Sequence, residues 1–179
     1  LSSERLEQLF DGHHQRLYRL ARRLCRDSEE ARDLVQETWL RAARHLDAIP
    51  AGEGGEGWLV RVLVNLTRDR ARRIRVRERA GRRAAPAAPA RSPEGEVVAR
   101  ATVRATLGQL PPRRRAVIVL HYLEDRAVEE IAGLLGISRV TVRWHLAAGR
   151  RSIESILTAS GESGATARET IGEKPGGKR

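Results

Sequence analysis

Arg61, Asn65, Arg68, Arg72, Arg75 and Arg79 recur at three- and four-residue intervals along this chain. At about 100° per residue, these six side chains fall within roughly 40° of one line on a helix, and Leu59, Leu63 and Leu66 fall opposite. A solvated helix face usually mixes signs, so that neighbours pair at i,i+4. Here Asp69 and Glu78 sit off the stripe. Guanidinium groups aligned without acids repel one another, and a phosphate backbone relieves that repulsion. The expected chemistry is therefore contact with a polyanion. Trp58, beside a glycine-rich segment, adds an aromatic face against which an unstacked base can lie. A second set, Arg139, Thr141, Arg143, Trp144 and His145, follows Ser138. It combines hydrogen-bond donors with a flat apolar ring, a mixture suited to base edges.

These two sets need particular elements to hold them. Residues 128–146 read as two short helices around a glycine turn. Ile131, Leu134 and Leu135 form the apolar side of the first, and Ala132 is small enough for a second helix to cross closely. Gly136 can take the positive φ that ends the first helix, and Ile137 can plug the gap between the two. Ser138 is a good N-cap for the second helix, whose Val142 and Leu146 face inward. A sharp turn presenting a short polar helix is the geometry that enters a DNA major groove. The competing reading is an ordinary helical hairpin within an all-α core.

Upstream, Leu6, Leu9, Phe10, Leu17, Leu20, Ala21 and Leu24 predict an amphipathic helix over 2–25. Asp27 and Glu30 form a capping-box-like pair that starts a second helix, with Ala31, Leu34, Val35, Thr38, Trp39, Ala42 and Leu46 on its apolar side. Residues 50–57, Pro-Ala-Gly-Glu-Gly-Gly-Glu-Gly, predict a non-helical loop. A long helix is expected from Trp58 to Arg79. Residues 80–95 read as an extended proline-rich linker. A second helical block is expected over 96–157, broken at Pro111-Pro112 and near Glu124-Asp125. The tail, 158–179, has almost no apolar content and is expected to be disordered. The fold class is all-α: two small helical domains, 1–79 and 96–157, joined by a flexible linker, the second containing the helix-turn-helix.

The 179 residues carry a formal net charge of +11, unevenly spread. Residues 1–57 sum to −2, residues 58–95 to +8 and residues 96–157 to +4. An acidic-leaning front and a basic middle imply different partners for different segments. Arginine in place of lysine can reflect a GC-rich genome, but genome bias does not explain the clustering. Cys25 is the single cysteine, so no disulfide forms within the chain, and its spacing predicts an inert, buried position. No apolar run is long enough to span a bilayer and no signal-peptide pattern is present, which predicts a soluble, cytoplasmic protein without stable membrane insertion. The sequence has no Met and starts at Leu1, so the natural start is expected to be missing or to use a non-standard codon.

An enzyme is not expected. No paired carboxylates sit in a predicted pocket, no glycine-rich loop follows a strand, and Cys25 has no obvious base. His13 and His14 diverge by about 100° on a helix, and His45, His121 and His145 are scattered, so neither metal nor cofactor is expected.

Asp33-Leu-Val-Gln-Glu-Thr-Trp-Leu-Arg-Ala-Ala-Arg is followed by Trp58-Leu-Val-Arg-Val-Leu-Val-Asn-Leu-Thr-Arg-Asp. Then come Leu110-Pro-Pro-Arg-Arg-Arg-Ala-Val and Glu129-Glu-Ile-Ala-Gly-Leu-Leu-Gly-Ile-Ser. In that order and spacing, over residues 4–157, they closely resemble a bacterial RNA polymerase sigma factor of the sigma-70 family, extracytoplasmic-function (ECF) group. The resemblance implies that Asp33, Gln36, Glu37, Leu40 and Arg41 dock on the largest β-type subunits of core RNA polymerase. It implies that residues 51–57 capture a flipped base of the minus-10 element, and that Trp58, Arg61, Asn65, Arg68, Arg72 and Arg75 read and melt that element. The linker would thread the polymerase cleft. The second block would bind minus-35 DNA through Ser138, Arg139, Thr141, Arg143, Trp144, His145 and Ala147. Trp144 and His145 stand where the family more often has a small polar residue and an Arg. Implied partners are core polymerase, promoter DNA as duplex and as melted non-template strand, and an anti-sigma factor. The alternative is a stand-alone helix-turn-helix regulator that binds duplex DNA without polymerase; it would need neither the Asp33 segment nor the arginine stripe.

Overall fold

The computed structural model describes residues 2–79 and 96–159, and every regular element among them is helical. The expected linker at 80–95 and the tail from 160 onward lie outside the described residues.

The first three helices are α1 (Ser2–Leu24), α2 (Ser28–Arg44) and α3 (Glu53–Arg79). Their predicted apolar sides form the core. Leu17, Leu20, Ala21 and Leu24 of α1 meet Ala31, Leu34, Val35 and Ala42 of α2 and Leu59, Leu63 and Leu66 of α3, all buried. Asp27 caps α2 by accepting from Glu30 N at 2.7 Å. Glu30 returns the favour one residue early, accepting from Arg26 N at 3.0 Å. Thr38 is fully buried, and its hydroxyl is satisfied by donating to Leu34 O at 2.7 Å.

One expectation fails here. Residues 53–57 are not loop; they are the first turns of α3. Glycine is a poor helix former because it loses the most backbone entropy on folding, but close packing wins at this position. A Cβ on Gly54 would lie 2.6 Å from Pro50 Cβ, and one on Gly55 would lie 3.0 Å from Leu9 Cδ2. The missing side chains let the helix start against α1. The turn that remains is short, and Gly52 completes it with φ +63°.

The second group is α4 (Glu96–Gln109), α5 (Pro112–Ile118, passing into a π turn at Val119–Leu123), α6 (Val128–Leu135) and α7 (Arg139–Ala159). Pro112 occupies the first helical position of α5, where its missing N–H costs nothing. The chain leaves the π turn through Asp125, at φ 53°. Gly136 ends α6 at φ 61°, and Ser138 Oγ accepts from Thr141 N at 3.1 Å to start α7, as the sequence predicts. Thr158 and Ala159, expected in the tail, instead continue α7.

Buried side chains of both helix groups belong to one cluster. Arg115 of α5 is buried and donates to Leu24 O of α1 at 2.6 Å, while also reaching Gly108 O at 2.6 Å and Leu110 O at 3.2 Å. Cys25 lies beside it, and burial pushes its thiol up to about 12, so it is an inert packing residue.

Gly149 marks the crossing of α7 over α5: a Cβ there would lie 2.6 Å from Ile118 Cδ1. Gly149→Ala should therefore destabilise the protein by about 1–3 kcal/mol through overpacking. Gly133, in α6, has open space around its Cα; Gly133→Ala should stabilise by about 0.5–1 kcal/mol. Urea midpoints of the two variants, moving in opposite directions, check both.

Candidate nucleic-acid interface

The predicted stripe exists as a surface. Arg68, Arg72, Arg75 and Arg79 are exposed along α3, Asn65 is half-buried among them, and the leucines opposite are buried. Arg68 has a long contact to Asp69 at 3.4 Å, an exposed pair that contributes little. Arg61 is placed differently. Its Nε donates to Leu134 O at 2.9 Å and its Nη2 to Gly133 O at 2.6 Å. These carbonyls lie in the last turn of α6, where acceptors lack helical partners and carry partial negative charge. A stripe residue thus caps the first helix of the helix-turn-helix. Trp58 is half-buried and packs against the core rather than standing free. Of residues 51–57, Ala51 and Gly52 remain outside the helix, and Glu56 is committed to ion pairs.

Those pairs belong to a network that bridges the two helix groups. Glu56 accepts from Arg16 at 3.0 Å and from Arg126 at 2.6 Å. Glu124 pairs with Arg23 and lies 3.6 Å from Arg16. The partners that cross between the groups are 70 to 108 residues apart, so no local spacing could have announced them.

On α2, Asp33, Gln36 and Leu40 are exposed, and Glu37 and Arg41 are half-buried and paired at 3.0 Å. Asp33 lies 3.9 Å from Arg70. Leu40 is 45% exposed, and the apolar surface continues onto α1. Phe10, 41% exposed, stacks on His14 with centroids 4.4 Å apart and leans on Trp39 at 5.0 Å. Trp39 Nε1 donates to His14 Nδ1 at 3.2 Å. Helical spacing alone had placed Phe10 with the core.

On α7, Arg139, Arg143 and Trp144 are exposed, Ala147 is half-buried, and Thr141 is tied to the Ser138 cap. Val140, which the sequence reading did not single out, is 73% exposed. His145 is placed differently from its neighbours. It lies about 140° around the helix from Val140, on the inward flank, with Nδ1 buried and unpartnered. Burial, and then the neighbouring Arg113 and Arg114, push its imidazole below the ordinary histidine range. It therefore packs neutral instead of reaching outward. Among the described residues, no cluster of His, Cys, Asp or Glu could hold a metal ion, and no helix is long and apolar enough to cross a membrane.

Comparison with known proteins gives two family matches: sigma-70 region 2 over residues 9–77 and sigma-70 region 4 over residues 100–153. The chain is 36% identical over 157 residues to the ECF RNA polymerase sigma factor SigE of Mycolicibacterium smegmatis, covering 84% of this chain and 61% of that protein. It is 34% identical over 160 residues to SigL of Mycobacterium tuberculosis, also an ECF RNA polymerase sigma factor, covering 87% of this chain and 90% of that one. Among solved structures, CnrH in complex with the cytosolic domain of CnrY matches with a TM-score of 0.63 and 26% identity, over 86% of this chain and 88% of that one.

The half-buried His145 carries a pH signature. Its folded-state ionisation is depressed, so the unfolded chain binds the extra proton first. Stability should fall as pH drops below about 6.5, the ordinary histidine value. Comparing melting temperatures at about pH 7.5 and about pH 5.5, His145→Gln should lose less than the parent protein. Equal losses would contradict the inward placement.

Proposed function

The chain belongs to the sigma-70 family, in its extracytoplasmic-function group, and from that premise we propose that it binds core RNA polymerase and directs promoter-specific initiation. It performs no catalysis of its own. One observation carries this reading: a single chain holds an exposed docking face, an acid-poor arginine stripe and a helix-turn-helix closed by a left-handed glycine. A stand-alone duplex-binding regulator requires only the third, and is not favoured.

In this reading, residues 1–79 and 96–157 work as two units joined by the 80–95 linker. Asp33, Gln36, Glu37, Leu40 and Arg41 dock on the largest β-type subunits of the polymerase; an acidic, partly apolar patch suits a protein partner. Arg61, Asn65, Arg68, Arg72 and Arg75 contact the minus-10 region, where neutralising phosphates supplies most of the affinity. Arg139, Arg143, Trp144 and Ala147 face the minus-35 duplex, with Ser138 and Thr141 fixing the helix that carries them. Arg61 already donates to two carbonyls of α6, so DNA contact at this position draws on its remaining N–H donors or displaces those bonds. The cytoplasm is the compartment where these partners meet. An anti-sigma protein is a further partner, supported by the capture of CnrH in complex with the cytosolic domain of another protein.

Run-off transcription with core enzyme and a genomic promoter pool tests the function: discrete start sites absent with core alone are expected, and their absence would sink it. Asp33→Ala should weaken core binding by about ten-fold, equivalent to about 1.4 kcal/mol. Its binding to naked minus-35 duplex should be unchanged, measured by titration of the full chain. Equal loss of both would contradict the docking assignment.

A further inference from the structure

Val140 and Trp144 are large hydrophobic residues left in solvent one helical turn apart on α7, 73% and 56% exposed. A β-branched residue gains nothing in helix propensity there, and both side chains expose apolar surface that folding elsewhere buries. At about 100° per residue they lie within roughly 40° of each other, and Ala147 falls between them and the flank carrying Arg139 and Arg143. Ala147 is small, so the strip is open to whatever approaches.

The indole is also held. Arg114, from α5, places its guanidinium carbon 5.6 Å from the Trp144 ring centroid, and its Nη1 donates to Ser152 Oγ at 3.0 Å. The His145 ring meets the indole edge-on at 4.9 Å. Contacts from α5 and from the inward flank of α7 therefore fix a side chain that still faces outward. A ring braced in this way is preorganised for contact rather than free to turn.

The major groove offers an apolar feature of matching size, the C5-methyl group of thymine, amid a polyanionic surface that the flanking arginines complement. We propose that Val140 and Trp144 are a methyl-reading pair that seats thymine methyl groups of the minus-35 element, with Arg114 as the positioning residue for the indole. This rests on the assignment of α7 as the minus-35 helix. It adds a chemical class of contact at two positions where hydrogen bonding is not the discriminating force.

The test uses the full chain assembled with core polymerase. Duplexes randomised over the minus-35 region are selected for binding, and thymine should be enriched at one or two neighbouring positions. Each enriched thymine is then replaced by deoxyuridine, which removes the methyl group and leaves every hydrogen-bonding group in place. The parent protein should lose about three- to five-fold in affinity per methyl. Val140→Ala and Trp144→Ala should each abolish the thymine-over-deoxyuridine preference at one position. Arg114→Ala should reduce it at the Trp144 position only, and Arg114→Lys should restore part of it, a pattern that general destabilisation does not produce. Enrichment of a sequence in which deoxyuridine binds as well as thymine overturns the inference and leaves the α7 assignment standing. Enrichment of no sequence in this region removes both. A preference that survives both alanine variants would assign the exposed pair to a protein partner and overturn the inference.

Discussion

A guanidinium buried without a carboxylate organises this molecule. Taking an ion out of water costs several kcal/mol, and only close, well-directed partners offset that. Arg115 finds them at helix ends: Leu24 O closes α1, and Gly108 O and Leu110 O lie where α4 gives way to α5. Carbonyls at these ends lack helical donors and carry the negative end of the helix dipole, so one cation serves several orphan acceptors. Its planar fork reaches diverging oxygens in a way a lysine ammonium cannot. Burial still pushes its pKa down from the usual arginine range, and Nε remains without a partner. The position of α5 follows from these bonds. From α5 follow the seat of Gly149 on Ile118 and the direction of α7.

What the chain reveals before folding and what it conceals divide by the reach of the interaction. The Asp27 cap, the Gly136 turn and the acid-poor face of α3 all depend on residues within a few positions of each other, and local pattern reports them. The Glu56–Arg126 and Arg115–Leu24 contacts join residues far apart in sequence, and each member alone is an ordinary charged side chain. Residues 53–57 fail for a related reason. Their local chemistry argues against a helix, and part of the surface that overrides it, Leu9, is supplied from α1. The half-buried position of His145 is hidden in the sequence because the angle around α7 is fixed only by Val142 and Leu146, both buried.

The seam between the helix groups combines two kinds of contact. Near Arg115 the seam is continuous with the core. Around Glu56, Glu124, Arg16 and Arg126 it is partly open to solvent, where ion pairs are individually weak and screened by salt. The arginine stripe and the outer face of α7 both stay open while the groups are together, with Arg61 the stripe residue that is taken.

The placement of Arg61 makes the two halves of the molecule thermodynamically reciprocal. Arg61 spends two of its five N–H donors on the carbonyl row of α6, so in the proposed DNA-bound state the stripe and α6 draw on one guanidinium. By linkage, the factor by which DNA on the stripe loosens α6 equals the factor by which holding α6 in place weakens DNA on the stripe. Any ligand that clamps the helix groups together acts as a competitor of nucleic acid without touching a base. Because the competing contact is to phosphate, this coupling weakens as salt rises.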